Sequence, residues 1–216
     1  MKNEPVKAQL QYILCNAQQP DGTRAKQAIN GLVYVHPHGL ENAEGLKERY
    51  DDTDCALMNY ALEHYDFWRA RYPANAALFA TPGVFGENLS TLGITEQTVC
   101  LGDIWRAGSA LLQVSWGREA CNTMAERLQD PLAPELMHQQ SRNGWFYRVL
   151  QAGEIRSRTT LNLVERPYAD WTLERVQKSI FNPDVPLAEL EALSRLDVLA
   201  TSWRDQVLKR LNLHNA

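Results

Sequence analysis

From Val6 to Leu14 the chain alternates Val6, Ala8, Leu10, Tyr12 and Leu14 with Lys7, Gln9, Gln11 and Ile13, and this period of two predicts a half-buried strand. Shorter stretches carry the same signal. Leu32–His36, Ala110–Ser115, Trp145–Leu150 and Thr160–Arg166 are rich in β-branched or aromatic residues, which suit a pleated surface. Pro20-Asp21-Gly22 and Leu101-Gly102-Asp103-Ile104 supply turns. Because the strands are short and not interleaved with regular 10–15-residue helices, a doubly wound parallel sheet is excluded. The expectation is a mainly β fold with helices, built on a closed mixed β-barrel.

Helical spacing intrudes in two places. Ala61, Tyr65, Trp68 and Tyr72 make one aromatic face that ends at Pro73. Beyond Pro167, Thr172 reads as a cap before Leu173, Val176 and Ile180. Leu187, Leu190 and Leu193 follow Pro186, and Trp203, Val207 and Leu211 close the chain. Residues 1–167 are read as the barrel domain and 168–216 as a three-helix domain. No linker separates them, so the tail is expected to pack on the barrel with Trp171, Leu190, Trp203 and Val207 facing inward.

A chain of 216 residues with 44% hydrophobic residues can build a core without disulfides. Its net charge of −4 gives no footprint for general nucleic-acid binding. No apolar run approaches the ~18 residues of a membrane helix, and the first residues lack a signal core, so a cytoplasmic protein with no membrane partner is expected. The four cysteines, Cys15, Cys55, Cys100 and Cys121, form no CxxC pair. Cys15 and Cys100 fall in strand-like surroundings and are expected to be buried.

Cys121 differs. It ends the segment Val114-Ser115-Trp116-Gly117-Arg118-Glu119-Ala120-Cys121, after a strand and before a helical stretch at Met124–Leu128. A helix start and the nearby Arg118 favour the thiolate, the form that attacks electrophiles or binds a soft metal, whereas Glu119 opposes it. The loop Thr81-Pro82-Gly83-Val84-Phe85-Gly86-Glu87-Asn88-Leu89-Ser90-Thr91 has two glycines that admit a ligand to the backbone, with Asn88, Ser90 and Thr91 as hydrogen-bonding groups. It reads equally well as a plain barrel connection. Arg148 lies within the apolar run Trp145–Leu150 and must reach solvent, an acid or an anionic ligand.

The pieces FGENLST (Phe85–Thr91), LGDIWRAG (Leu101–Gly108), LLQVS with GREAC (Leu111–Cys121) and NGWFYRVL (Asn143–Leu150), taken in order, resemble the MOSC domain, named for the C-terminal part of molybdenum cofactor sulfurases. The tail from Trp171 resembles the three-helix appendage of the bacterial YiiM-like branch. The resemblance spans about residues 25–213. It implies a barrel that binds molybdenum cofactor (molybdopterin), with Cys121 as the protein ligand to molybdenum. It also implies Arg118, Asn88, Arg148 and Asp54 as cofactor-binding residues. The implied reaction is reduction of N-hydroxylated small molecules such as hydroxylaminopurine-type base analogues, with electrons from a flavin-dependent reductase.

The chain departs from the branch in one segment. Where relatives carry an HGGPDRA-type run, aligned on Asp54, Ala56 and Tyr60, this sequence has Tyr50-Asp51-Asp52-Thr53-Asp54-Cys55-Ala56. The change removes a close backbone approach and a cation. It adds carboxylates that would repel a cofactor phosphate if they faced it. His36 and His38 lie nearby as replacements for the missing imidazole. Two other readings therefore stand beside the oxidoreductase: a MOSC-fold binding module without molybdenum, and a sulfur carrier through a Cys121 persulfide.

Overall fold

The structure is a computed structural model that describes residues 6–18 and 24–214, so the turn expected at Pro20-Asp21-Gly22 lies outside the described residues. Twelve strands form among the described residues: β1 (Lys7–Gln18), β2 (Arg24–Ala28), β3 (Leu32–His36), β4 (Gly39–Asn42), β5 (Lys47–Arg49), β6 (Leu57–Ala61), β7 (Leu89–Leu92), β8 (Ile104–Ala107), β9 (Ala110–Gly117), β10 (Trp145–Gln151), β11 (Gly153–Arg156) and β12 (Thr159–Glu165). Neighbours run β12-β8-β9-β10-β6-β7-β1, and β1 pairs back with β12, which closes the barrel. The β6–β7 pair is parallel and the other pairs around the ring are antiparallel. Closure leaves no unpaired edge around the ring.

Strand β1 explains part of the topology. Its first half pairs with β12 and β7, and its second half leaves the ring to pair with β2. A separate antiparallel sheet, β11-β3-β4-β5, packs Val33, Val35, Leu40 and Ile155 into the barrel core.

Helix α1 (Glu63–Arg71) buries Tyr65 and Trp68, and Tyr72 beyond its end is buried too, as the aromatic spacing predicts. Ala61 does not belong to it. That residue ends β6, whose five positions are all buried, so no alternation marks the strand in the sequence. A 3-10 segment at Pro73–Ala80, α2 (Asn122–Leu128) and α3 (Ala133–Gln139) join α1 around a second apolar cluster that includes Tyr60, Phe79, Phe85, Met124 and Met137.

The tail forms α4 (Leu173–Phe181), α5 (Leu187–Ser194) and α6 (Thr201–His214). Thr172 caps α4 by accepting the Arg175 N–H at 3.3 Å. Leu173, Val176, Leu190, Trp203 and Val207 are continuous with the barrel core, and Trp171 is buried with them. The outer wall of β9 and β10 receives the tail. Trp116 stacks on Phe146 and meets Trp203 edge-on at 5.5 Å, while Ala200 N–H donates to the Ser115 carbonyl at 3.1 Å. Among the described residues no helix is long and apolar enough to cross a membrane.

Candidate functional site

Strand β9 ends at Gly117, and the backbone turns through Arg118 to Cys121, which occupies the N-cap position of α2 in extended conformation. Two hydrogen bonds hold this turn. Arg118 N–H donates to the Gly144 carbonyl at 2.9 Å, and Ala120 N–H donates to His138 Nε2 on α3 at 3.0 Å. Cys121 is exposed, whereas Cys15 and Cys100 are buried and Cys55 is half-buried.

The thiols separate by environment. Partial burial tends to raise the Cys121 thiol, but hydrogen bonds from the Thr123 hydroxyl and N–H, the Arg118 charge and the Met124 N–H outweigh it and bring it below the ordinary value. Burial and Asp52 push Cys55 up to about 12, and burial and Asp103 push Cys100 up to about 11. Burial and Glu48 raise Cys15 as well.

Arg118 itself is half-buried, and its Nη1 is shielded from solvent with no hydrogen-bond partner among the described residues. Burial weakens its hold on its proton, against the supporting fields of Tyr60, Cys121 and Glu87. Glu87 is fully buried and organises the neighbouring loop. Its carboxylate accepts the N–H groups of Gly83 at 2.7 Å and Phe85 at 3.1 Å and the hydroxyl of Tyr65. A Cβ on Gly83, where φ is +113°, would sit 2.8 Å from Lys26 Cβ, so only glycine fits there.

The other expected cofactor residues are placed differently. Asn88 Oδ1 accepts the Met58 N–H at 3.0 Å, and its backbone bonds both Met58 and Leu14, so it joins β6 to β1. Ser90 and Thr91 are buried within β7 and not in a loop. Arg148 faces the outer wall: Nε donates to Asp54 at 2.8 Å, Nη1 to Gln113 at 3.2 Å and Nη2 to the Val198 carbonyl at 3.0 Å. Arg148 and Asp54, both expected to hold cofactor, therefore answer each other beneath the tail. Asp52 turns its carboxylate inward on its own turn, where it accepts the Asp54 N–H at 2.9 Å and the Cys55 thiol. His38 Nδ1 lies 3.1 Å from the Tyr50 carbonyl and His36 Nδ1 accepts the His38 N–H, so both histidines brace the β3–β4 hairpin.

Three residues that the sequence did not single out, Asn16, Lys26 and Arg127, lie beside the glycine loop. Lys26, Asn16, Gly83, Gly86 and Arg127 line a cleft of about 310 Å³. Lys26 Nζ donates to Glu48 at 2.6 Å, and Glu48 also accepts the Tyr50 hydroxyl and the Asn16 N–H. Burial alone would raise Glu48, but Lys26 and these donors hold it below the usual carboxylate range. The stability this contributes is therefore present above the ordinary carboxylate pKa and lost as pH falls through the lowered value. Glu48→Gln should cost about 3–5 kcal/mol by stranding a buried ammonium. Lys26→Met combined with Glu48→Gln should recover most of that loss in urea denaturation; full additivity of the two costs would show that the pair is not coupled.

Against this geometry, the family profile described as MOSC domain matches residues 38–161. The chain belongs to the MOSC domain family. A second profile, the YiiM-like 3-alpha helix domain, matches residues 171–214. Protein YiiM of Escherichia coli (strain K12) is 33% identical over 187 residues, covering 86% of this chain and 83% of that protein. A protein named Reductase from Gibberella moniliformis is 34% identical over 172 residues, but the MOSC chain, 79% of which aligns, spans only 30% of its length. The crystal structure of YiiM from Geobacillus stearothermophilus superposes with a TM-score of 0.79 at 31% identity, over 94% of this chain and 99% of that one.

Proposed function

We propose that this MOSC protein is a molybdenum-cofactor-dependent oxidoreductase that reduces N-hydroxylated small molecules, with Cys121 as the protein ligand to the metal. The observation that carries the reading is the proximity in the chain of an exposed, acidified thiol to a half-buried guanidinium whose shielded Nη1 lacks a partner among the described residues. A soft thiolate suits molybdenum, and a shielded guanidinium nitrogen without a partner suits an anionic group of the cofactor.

The donor set also argues for a cofactor in place of a bare ion. Among the described residues no three His, Cys, Asp or Glu side chains converge on one point, so a metal at Cys121 has to bring its remaining ligands with it. A pterin dithiolene does so. When bound, it supplies the chemistry that turns an N–OH group into N–H and water, using two protons and two electrons from a flavin-dependent reductase. The chain's own parts are Cys121 to hold the metal, and Arg118, with Arg127 in the cleft beside the glycine loop, to receive negative charge. Thr123 and the first turn of α2 favour the thiolate form.

One observation supports a second reading, a MOSC-fold binding module without molybdenum. Lys26 is already neutralised by Glu48, and Tyr50 closes over that carboxylate. Elemental analysis of protein made in a molybdenum-replete host, with fluorescence of the oxidised pterin, decides between them. Near-stoichiometric metal and pterin are expected; absence of both selects the binding module.

A further inference from the structure

The loop from Arg118 to Cys121 has few ties to its surroundings. Glu119 and Cys121 are exposed and Ala120 is buried between them. Among the described residues, two hydrogen bonds connect its backbone to elements other than α2: Arg118 N–H to the Gly144 carbonyl and Ala120 N–H to His138 Nε2. The first joins backbone to backbone and survives any side-chain change. The second ends on a side chain, so one residue of α3 decides whether the peptide next to Cys121 is held.

We propose that His138 is a positioning residue for Cys121: it keeps the thiol at the start of α2 by accepting the Ala120 N–H, and Phe181 of the tail fixes the imidazole in turn. The assignment rests on the reductase reading for what Cys121 carries, but the position of the thiol is measurable without metal.

The hydrogen bond dictates the state of the ring. At 3.0 Å the Ala120 N–H points at a nitrogen that must carry a lone pair, so the imidazole is neutral and its proton sits on Nδ1. Burial and the Arg118 charge favour that form by lowering the pKa of His138. The orientation of the ring comes from the tail. His138 lies flat on Phe181, the last residue of α4, with centroids 3.9 Å apart and planes at 7°, and this stack sets the plane in which the Nε2 lone pair points. Helix α3 does not depend on the histidine for its own place, because Met137 and Ala133 are fully buried in the apolar cluster that also holds Met124 of α2. Cys121 does depend on location. The Thr123 hydroxyl and N–H and the Met124 N–H favour its thiolate through hydrogen bonds, which weaken steeply with distance and angle, so a loop that drifts from the start of α2 loses them.

Two substitutions separate the acceptor from the ring. His138→Gln offers an amide oxygen at the reach of Nε2 and has no ring to stack, whereas His138→Phe keeps a flat ring against Phe181 and accepts nothing. In metal-free protein, His138→Phe should slow alkylation of Cys121 near neutral pH about fivefold and speed exchange of the Ala120 amide by a similar factor, the ratio that one neutral hydrogen bond supports. His138→Gln should keep both rates close to wild type. In protein made with molybdenum, metal content should fall in the phenylalanine variant and be retained in the glutamine variant. Wild-type alkylation and exchange in His138→Phe overturns the proposal. A glutamine variant as defective as the phenylalanine variant also overturns it, because the stack and not the acceptor would then hold the loop. If wild type itself takes up no molybdenum, the reductase reading fails, and the alkylation and exchange rates still decide the role of His138.

Discussion

Cys121→Ser protein should fold as well as wild type and carry neither molybdenum nor N-hydroxy reductase activity. The side chain is exposed at an N-cap position, where serine is a preferred residue, so no loss of thermal stability is expected. If Cys121 is the proposed metal ligand, the metal would lose that donor, because an alcohol is neither soft nor acidic enough to replace a thiolate. Turnover should fall to background, with metal content by elemental analysis below a tenth of wild type, an order-of-magnitude expectation for removal of the single protein ligand. The thiol can be checked before any cofactor is present. Near neutral pH, Cys121 should alkylate fastest of the four cysteines, since Cys55 and Cys100 are pushed to about 12 and about 11 and Cys15 is buried. A serine variant with undiminished metal and turnover would remove Cys121 from the mechanism.

What could be read from the sequence follows the physics of burial. β3, with one face in the core and one outside, announces itself by alternation, whereas β1 keeps the expected period only through Leu10; beyond it a register shift leaves Tyr12 exposed and buries Ile13 on the face assigned to polar neighbours. β6 is buried at every position and shows no period, while β2 and β5, Arg24–Ala28 and Lys47–Arg49, are polar strands with no apolar rhythm at all. The site divides in the same way. A cysteine between a strand and a helix start is a local pattern, so Cys121 and Arg118 could be picked out. Arg148 was legible as a charge in need of a partner, but the partner, Asp54, is 94 positions away, and only the closed barrel and the tail bring them together. The Lys26–Glu48 pair joins β2 to β5 and left no local trace. His138 went unnoticed because α3 is a short helix that the strand-based reading passed over, although Pro134 at its start was a usable signal.

Trp203→Ala should be the most destabilising single change in the tail, and it should lower one melting transition for the whole chain. The ring is 1% exposed, packs edge-on to Trp116 and Phe181, and shares a continuous core with the barrel strands. Truncating a buried tryptophan costs about 3–5 kcal/mol. In a chain of this size that lowers Tm on the order of 10 °C. The same ring bears on the site through Gly117, the last residue of β9. A Cβ there would lie 2.8 Å from Trp203 Cη2 and 2.6 Å from Gln177 Nε2. Gln177 donates to the Gly144 carbonyl, which also accepts the Arg118 N–H. Gly117→Ala should therefore cost about 1–3 kcal/mol by overpacking. It should also change the alkylation rate of Cys121, because the tail is wedged away from the backbone that anchors the loop. Removing Trp203 vacates part of the space the new methyl needs, so the double variant should cost less than the sum of the singles by about 1 kcal/mol. Strict additivity, or two separate transitions in calorimetry, would mean that the tail is only appended to the barrel. Coupling in both stability and thiol reactivity would mean that the three helices help to set the position of Cys121.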